Sequence, residues 1–174
     1  MEHGRYLVDL VDENGLVVGS KPRREIDKHR DLYHAVFTLL VTPVGQVILG
    51  RIPRRDDLPN LYADQLGAPV GTIRRSGESP MAAALRSAAR ELYIDNARLV
   101  PLGGGLFRLD DGRQSYVSVY YIVANPPETY SSTDITELVT FTPRDLRQRI
   151  EEAPKDFAPT FLMLWGKYQD RLPL

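Results

Sequence analysis

Ser79-Pro80, standing in front of an alanine-rich run, constrains the fold of this 174-residue chain more than any other stretch. A serine hydroxyl satisfies one of the free N–H groups at a helix start, and proline suits the first helical position because its missing N–H has no partner there anyway. The pair predicts a sharply started helix, and Met81, Leu85, Ala88 and Leu92 recur at spacings of three and four, as an apolar stripe facing a core does. Ser87, Arg90 and Glu91 share another face. Ahead of the helix, Val70 to Glu78 reads as a glycine-bearing loop, so that Val70 to Asp95 is the one segment that suggests chemistry.

Strands dominate the rest. Tyr6 to Val11 and Leu16 to Gly19 flank Asp12-Glu13-Asn14-Gly15, and Asn-Gly between β-rich runs is a strong hairpin signal. Lys21 to Arg30 is a charged connector with a short helix expected around Arg24 to Lys28. His34 to Thr42 and Gln46 to Arg51, joined by Pro43-Val44-Gly45, form a second and central hairpin. Tyr62 to Leu66 is a short strand candidate leading into Gly67-Ala68-Pro69. Beyond the central helix, Leu99 to Leu106 carries Gly103-Gly104-Gly105, Asp110-Asp111-Gly112 marks a turn, Ser115 to Ala124 alternates as a strand, and Val139 to Phe141 is a further short one. Thr142-Pro143 repeats the capping pair and opens a helix through about Glu152; a last apolar helix covers Pro159 to Tyr168. Many strands with one central and two late helices give an α+β class rather than a regular βαβ array.

Composition narrows the chemistry. With 22 Lys and Arg against 23 Asp and Glu, a net charge of −1 supplies no global field for nucleic acid or an anionic membrane. Any anion site must be local. The absence of cysteine removes disulfides, thiolate metal sites and thiol nucleophiles. No apolar run approaches a membrane span, so a soluble, cytoplasmic protein is the expectation. The loop Arg51-Ile52-Pro53-Arg54-Arg55-Asp56-Asp57-Leu58-Pro59-Asn60-Leu61 has two readings. Its three arginines could grip phosphate bidentately, or Asp56 and Asp57 could simply neutralise them.

Taken together, these residues resemble the Nudix hydrolase family, whose box reads G-x5-E-x7-R-E-U-x-E-E-x-G-U with U aliphatic. Gly77-Glu78-Ser79-Pro80 looks like that family's Gly-Glu-Ser/Thr-Pro step, and Arg86 follows after the proper interval. The remaining box positions fall on Ser87, Ala88, Ala89, Arg90, Glu91, Leu92, Tyr93 and Ile94. The loop glycine has two alignments, on Gly71 or on Ala68. A second register, with Arg90-Glu91-Leu92 as the Arg-Glu-aliphatic step and Asp95 as a later acid, needs an extra helical turn. More widely, the opening hairpin, the Leu58-Pro59-Asn60 step and the closing helices with Thr142-Pro143 and Trp165 look like the branch related to type I isopentenyl-diphosphate isomerases. Those isomerases use a catalytic Cys, His ligands and Glu on a later strand. Here Gly67 stands at the Cys position, Pro69 at the following His, and Gln114-Ser115-Tyr116 replaces the acidic strand, so isomerase activity is not expected; only His34 sits near a matching ligand position.

The resemblance implies a mixed α/β/α sandwich with a central mixed sheet and flanking helices, spanning residues 1–174 as one domain, with a core of about 32–168 and an N-terminal hairpin at 5–20. It also implies a diphosphate hydrolase using Mg²⁺ or Mn²⁺ held by helix carboxylates. In this chain the trio that would hold the cation is Ser87, Arg90 and Glu91, whose charges sum to zero. A divalent ion touching Arg90 would be repelled by several kcal/mol at an effective dielectric of about 20. Two hypotheses follow. In the first, a weak or specialised hydrolase acts on a nucleoside or other organic diphosphate, with Glu78, Glu91 and Glu137 as catalytic candidates, Glu91 and Glu78 as metal ligands, and Arg86 holding the box through an ion pair. In the second, an inactive Nudix-fold module binds a small phosphorylated ligand or a protein. Arg90 would then contact phosphate where the cation would sit, with Arg51, Arg54, Arg55, Arg74 and Arg75 completing the anion site and Tyr116, Tyr120 or Tyr121 stacking. Neither requires nucleic acid or membrane, and a homodimer is left open.

Overall fold

The computed structural model describes residues 5–54 and 62–174, so Arg55 and the Leu58-Pro59-Asn60 step lie outside the described residues. The opening hairpin pairs β1 (Leu7–Val11) antiparallel with β2 (Val17–Pro22). Asp12 Oδ1 accepts from the N–H groups of Asn14 and Leu16, both at 2.9 Å, and Gly15 adopts φ +81° to close the turn. The connector that follows makes only a 3-10 turn at Arg23–Glu25, not a helix reaching Lys28. Asp27 and Asp31 redirect it instead: Asp31 Oδ2 accepts from the N–H of Asp27, and its Oδ1 accepts from Lys21 Nζ at 2.6 Å.

The main sheet is mixed. Its strands are β3 (His34–Val41), β4 (Val47–Arg51), β5 (Leu66–Gly67), β6 (Val70–Ile73), β7 (Val100–Arg108), β8 (Gln114–Val123) and β9 (Glu137–Phe141). β3 runs parallel to β8 along its whole length. Its other edge is divided: β6 takes Ala35 to Thr38, and β4 takes Leu40 and Val41. The sheet therefore splits between β6 and β4, and β5 pairs Gly67 with Gly50 on the β4 side of the split. Two expectations are corrected here. Val70 to Ile73 is a strand rather than part of a loop, because its backbone finds partners along β3. Tyr62 to Leu66 is not a strand, because the chain turns at Asp64, with φ +69°, before pairing begins at Leu66.

Helices cover both faces, as the sandwich reading expected. α1 (Pro80–Leu92) packs on the face presented by Val36, Leu40, Ile48 and Ile122. α2 (Pro143–Glu152) and α3 (Pro159–Tyr168) cover Leu39, Val41, Val47, Leu49 and Val119, with Phe157, Phe161 and Trp165 stacked in series. The alternation of β3 residues between the two clusters is the period-two pattern of a strand buried on both sides. Ser79 Oγ accepts from Ala82 N and Thr142 Oγ1 from Asp145 N, both at 3.1 Å, so both predicted caps form.

The inward face of α1 differs from the expected stripe. Ala83, Ala84, Ser87, Ala88, Glu91 and Leu92 are buried, whereas Met81 is exposed and Leu85 only half-buried. Alanine and serine let the helix lie close on β3 and β6, and this rotates the buried face toward Ser87 and Glu91. The helix stops at Leu92 because Tyr93 takes a left-handed conformation, φ 54°.

Candidate functional site

Glu91 lies in the last turn of α1, 4% exposed, on the side facing the split in the sheet. Its Oε1 accepts from Ser87 Oγ and from Arg90 Nη2, each at 2.5 Å. Burial pushes the Glu91 carboxyl above the usual glutamate range, the Ser87 bond and Arg90 oppose that, and the nearby Asp134 charge adds to it. The two ends of this network are tied together by the backbone, since Ser131 N donates to Glu91 O at 2.8 Å, and Asp134 Oδ2 accepts from Ser131 Oγ at 2.7 Å.

Two adjoining cavities meet at this point. The smaller, about 250 Å³, is lined by Glu91, Arg90, Asp134, Arg51, Gly50 and Pro69 among others. The larger, about 640 Å³, has Arg23, Arg24, Lys28, Arg90 and Arg113 on its walls with, among the described residues, Asp134 as its one carboxylate, and five aromatic rings from Tyr6, Tyr33, Phe37, Tyr62 and Phe107. Phe37, Gly71, Arg90 and Asp134 border both. Arg90 springs from the helix on one face of the sheet yet lines a cavity floored by Phe37 and Phe107, which pack with the opposite cluster. The split between β6 and β4 is what gives it passage.

The expected site residues are placed as follows. Arg51 and Glu137 stand opposite one another on β4 and β9, with Arg51 Nε 2.7 Å from Glu137 Oε2 and Arg51 Nη1 donating to Asp64 O at 2.9 Å. Arg54 pairs with Asp64 at 2.6 Å and is exposed. Arg74 lies 3.5 Å from Asp9, and the Arg75 guanidinium sits over the Tyr6 ring at 4.7 Å. Glu78 is held by Arg86 through Nε at 2.7 Å and Nη2 at 2.8 Å, and also accepts from Arg75 N. Desolvation works against its charge, but the Arg86 and Arg75 bonds prevail and hold the Glu78 carboxyl below the usual range. Thus Arg51, Arg90 and Glu91 are brought to one cavity, whereas Glu78, Glu137 and Arg54 line neither. Glu78 stands ahead of the helix with both carboxylate oxygens taken by Arg86, whereas Glu91 lies in its last turn and is held by Ser87 and Arg90. They do not form one ligand pair.

Tyr116, Tyr120 and Tyr121 line neither cavity; Tyr120 packs on the α1 side, and Tyr116 meets His34 edge-on at 5.2 Å. His34 Nε2 lies 2.8 Å from Ser118 Oγ, and burial with Arg74 nearby lowers its pKa to about 4, so it is a neutral, internal group at ordinary pH. Asp134, Arg113, Arg23 and Lys28 were not anticipated. The Ser131-Ser132-Thr133-Asp134 turn pattern could have marked the first; the cations of the connector read as a solvated run because nothing local shows that the chain folds them over β3.

The chemistry of the donor set bears on a helix-bound cation. Around Glu91 the neighbours are a hydroxyl and a guanidinium, and among the described residues no three His, Asp or Glu side chains converge as a cation site. Mg²⁺ and Mn²⁺ take several oxygen ligands with carboxylate charge. The residues present do not fit that group.

No family model matches the chain. An uncharacterized Nudix hydrolase of Yersinia pestis is 23% identical over 158 residues, covering 91% of this chain and 84% of that protein. The crystal structure of DR0079 from Deinococcus radiodurans superposes with a TM-score of 0.69 at 25% identity, over 84% of this chain and 89% of its own. The Nudix domain of Shewanella oneidensis NrtR, solved with ADP ribose, superposes with a TM-score of 0.61 at 16% identity, over 85% and 94% of the two chains. Among the described residues no helix is long and apolar enough to cross a membrane.

Proposed function

We infer that the chain belongs to the Nudix hydrolase superfamily, and propose that it binds a nucleoside diphosphate or other organic diphosphate in the larger cavity and hydrolyses it slowly. The observation that carries this reading is the position of Arg90. It stands at a box position where the family resemblance places a carboxylate, it is paired with Glu91, and it lines both cavities. A guanidinium there offers bidentate bonds to phosphate oxygens. The aromatic walls suit a planar base, and a volume of about 640 Å³ is in the range of small-ligand sites. The ADP ribose held by the Shewanella domain is a ligand of the same class.

Hydrolases of this family generally use a divalent cation, but the Ser87, Arg90 and Glu91 trio supports none in the usual mode. In this reading Glu91, which lines the adjoining smaller cavity, accepts the proton. Water adds to phosphorus, the P–O bond to the leaving phosphate breaks, and the water's proton passes to the Glu91 carboxylate, whose raised pKa makes it a better base than a solvated glutamate. Arginine supplies less charge at the transition state than a divalent ion, hence the slow turnover. Glu78 serves the fold, through Arg86. Residues 1–174 act as one unit in this reading, because Tyr6 of the N-terminal segment and Thr160 of α3 line the same cavity.

A second reading, a binding module without turnover, is favoured by the same Arg90–Glu91 contact, which occupies the candidate base. Phosphate release from a panel of nucleoside diphosphates, triphosphates and sugar diphosphates, with and without Mg²⁺ or Mn²⁺, separates the two. Turnover lost in Glu91→Gln supports hydrolysis. Absence of turnover with metal-independent binding lost in Arg90→Ala supports the module, and absence of both binding and turnover removes the site.

A further inference from the structure

The two strands of the opening hairpin are covered unequally. β1 is engaged along both edges: β2 pairs with it on one, and on the other Val11 N donates to Leu32 O at 2.9 Å, Leu10 bridges to Tyr33, and Leu7 O accepts from Ser76 N at 2.8 Å. Among the described residues no strand pairs with the outer edge of β2. Leu16 to Ser20 are all exposed, and none is charged. Of the nine large apolar side chains exposed among the described residues, Leu7, Leu16, Val17 and Val18 stand on this ribbon, between 50% and 66% exposed. An open strand edge flanked by apolar side chains is a surface to which another strand adds. The ribbon is also moored in place. Gly15 abuts the Tyr116 ring of β8, where an added Cβ would stand 2.7 Å from it, and Glu13 pairs with Arg108 of β7 at 2.9 Å.

We propose that β2 joins two copies of this chain, pairing antiparallel with itself about Gly19 to make a continuous ribbon in the order β1-β2-β2-β1. A second copy fits because the strand is complementary to its own reverse. Asp12 and Glu13 stand at its start, and Lys21, Arg23 and Arg24 at its end. Antiparallel pairing lays each acidic end beside the basic end of the copy, whereas parallel pairing would oppose like charges. The backbone sets the centre. Arg23 N donates to Tyr6 O at 2.9 Å, and the alternation of an antiparallel pair turns Lys21 and Gly19 toward β1 as well, leaving the Ser20 N–H and C=O facing outward. Ser20 of one copy then meets Val18 of the other on each side of the axis, and the two Gly19 residues face each other with no side chain between them. Pro22, which has no N–H to give, ends the pairing.

This contact is independent of what the cavities bind. Sedimentation velocity over a concentration series compares the wild type with Val17→Lys/Val18→Lys, whose side chains are exposed in the single chain, so that its melting temperature should hold. The wild type is expected to dimerise, and the two lysines to weaken the dimer by at least roughly tenfold. Because the chain has no cysteine, Gly19→Cys supplies a single thiol, and an added Cβ there meets nothing within 4 Å. Facing residues of a non-hydrogen-bonded antiparallel pair lie about 4.5 Å apart between Cα atoms, within the reach of a disulfide. Mild oxidation should therefore link the Gly19→Cys chains in pairs on non-reducing electrophoresis, and should leave Val44→Cys, exposed beyond the far end of β3, unlinked. A chain that stays monomeric at every concentration overturns the proposal and leaves the edge to a strand of another protein. A dimer indifferent to the two lysines, or equal linking of Gly19→Cys and Val44→Cys, overturns it as well.

Discussion

Arg90 Nη2 lies 2.5 Å from Glu91 Oε1, so the one buried carboxylate of the box helix is neutralised by its own neighbour in sequence. Arg90 is partly exposed at 40%, whereas Glu91 is buried at 6% by side chain, and the pair is therefore a charge reaching in from the cavity to a fixed internal acid. Where the family resemblance puts carboxylates on this helix, the chain presents a guanidinium to the two cavities.

Reversing that charge should restore a cation site. Arg90→Glu places a second carboxylate beside Glu91, with Asp134 facing them across the smaller cavity. Saturable Mn²⁺ binding at least about tenfold tighter than in the wild type is expected by electron paramagnetic resonance, given the size of charge–charge terms at such range. Unchanged Mn²⁺ affinity would show that something other than Arg90 governs cation binding.

Glu78 and Arg86 are assigned to the fold, and their loss should read as stability. Arg86 also donates to Ile73 O at 3.4 Å, tying the helix to β6. Arg86→Ala should cost about 1–3 kcal/mol, between exposed and fully buried ion pairs, a fall of roughly 3–9 °C in Tm. The Glu78 pKa is depressed on folding, so its contribution is complete above the ordinary value of 4.5 and is lost as the pH falls below that through the folded value. Glu78→Gln should therefore be less stable than the wild type near pH 7, and its stability followed by circular dichroism should fall less steeply as the pH drops below 4.5; a difference from the wild type that does not change with pH would contradict this.

The sign is opposite at Glu91. Its folded pKa is raised, so its contribution is present below the ordinary value of 4.5 and lost as the pH rises through the folded value. At neutral pH the ionised carboxylate burdens the fold. Glu91→Gln, whose amide oxygen can still accept from Ser87, should keep the unfolding free energy at pH 7–8 within about 1 kcal/mol of the wild type or above it. A large loss of stability would mean that the Arg90 contact outweighs desolvation.

Gly104 sets a limit of another kind. A Cβ built there would stand 2.1 Å from Val117 O in the neighbouring strand, a contact with backbone that cannot yield easily. Gly104→Ala should destabilise by about 3 kcal/mol or more, detectable as a lowered urea midpoint. Gly105, whose added Cβ would meet nothing within 4 Å but whose φ is +130°, should respond through backbone strain instead.

The architecture was legible where local chemistry decided it. Ser79-Pro80 and Thr142-Pro143 cap helices because their hydroxyls act on the next turn, and the Asn14-Gly15 hairpin closes on its own Asp12. Val70 to Ile73 was misread because its strand character comes from β3, far away in sequence, and not from its own glycine-bearing pattern. The α1 stripe was misassigned for a related reason: hydrophobicity ranked Met81 and Leu85 above alanine, whereas close packing on the sheet selected Ala83, Ala84 and Ser87. Of the site, Arg90 and Glu91 were visible from their spacing. Arg113, Lys28 and Asp134 converge only through tertiary folding, and no pattern within their own segments announces it.

The most direct test of the central claim is titration of a nucleoside diphosphate into the protein in the presence of a metal chelator, comparing the wild type with Arg90→Gln. Binding that persists without divalent metal and weakens by roughly tenfold or more in Arg90→Gln is the predicted result. Binding that requires Mg²⁺ or Mn²⁺ and is indifferent to Arg90→Gln would contradict it.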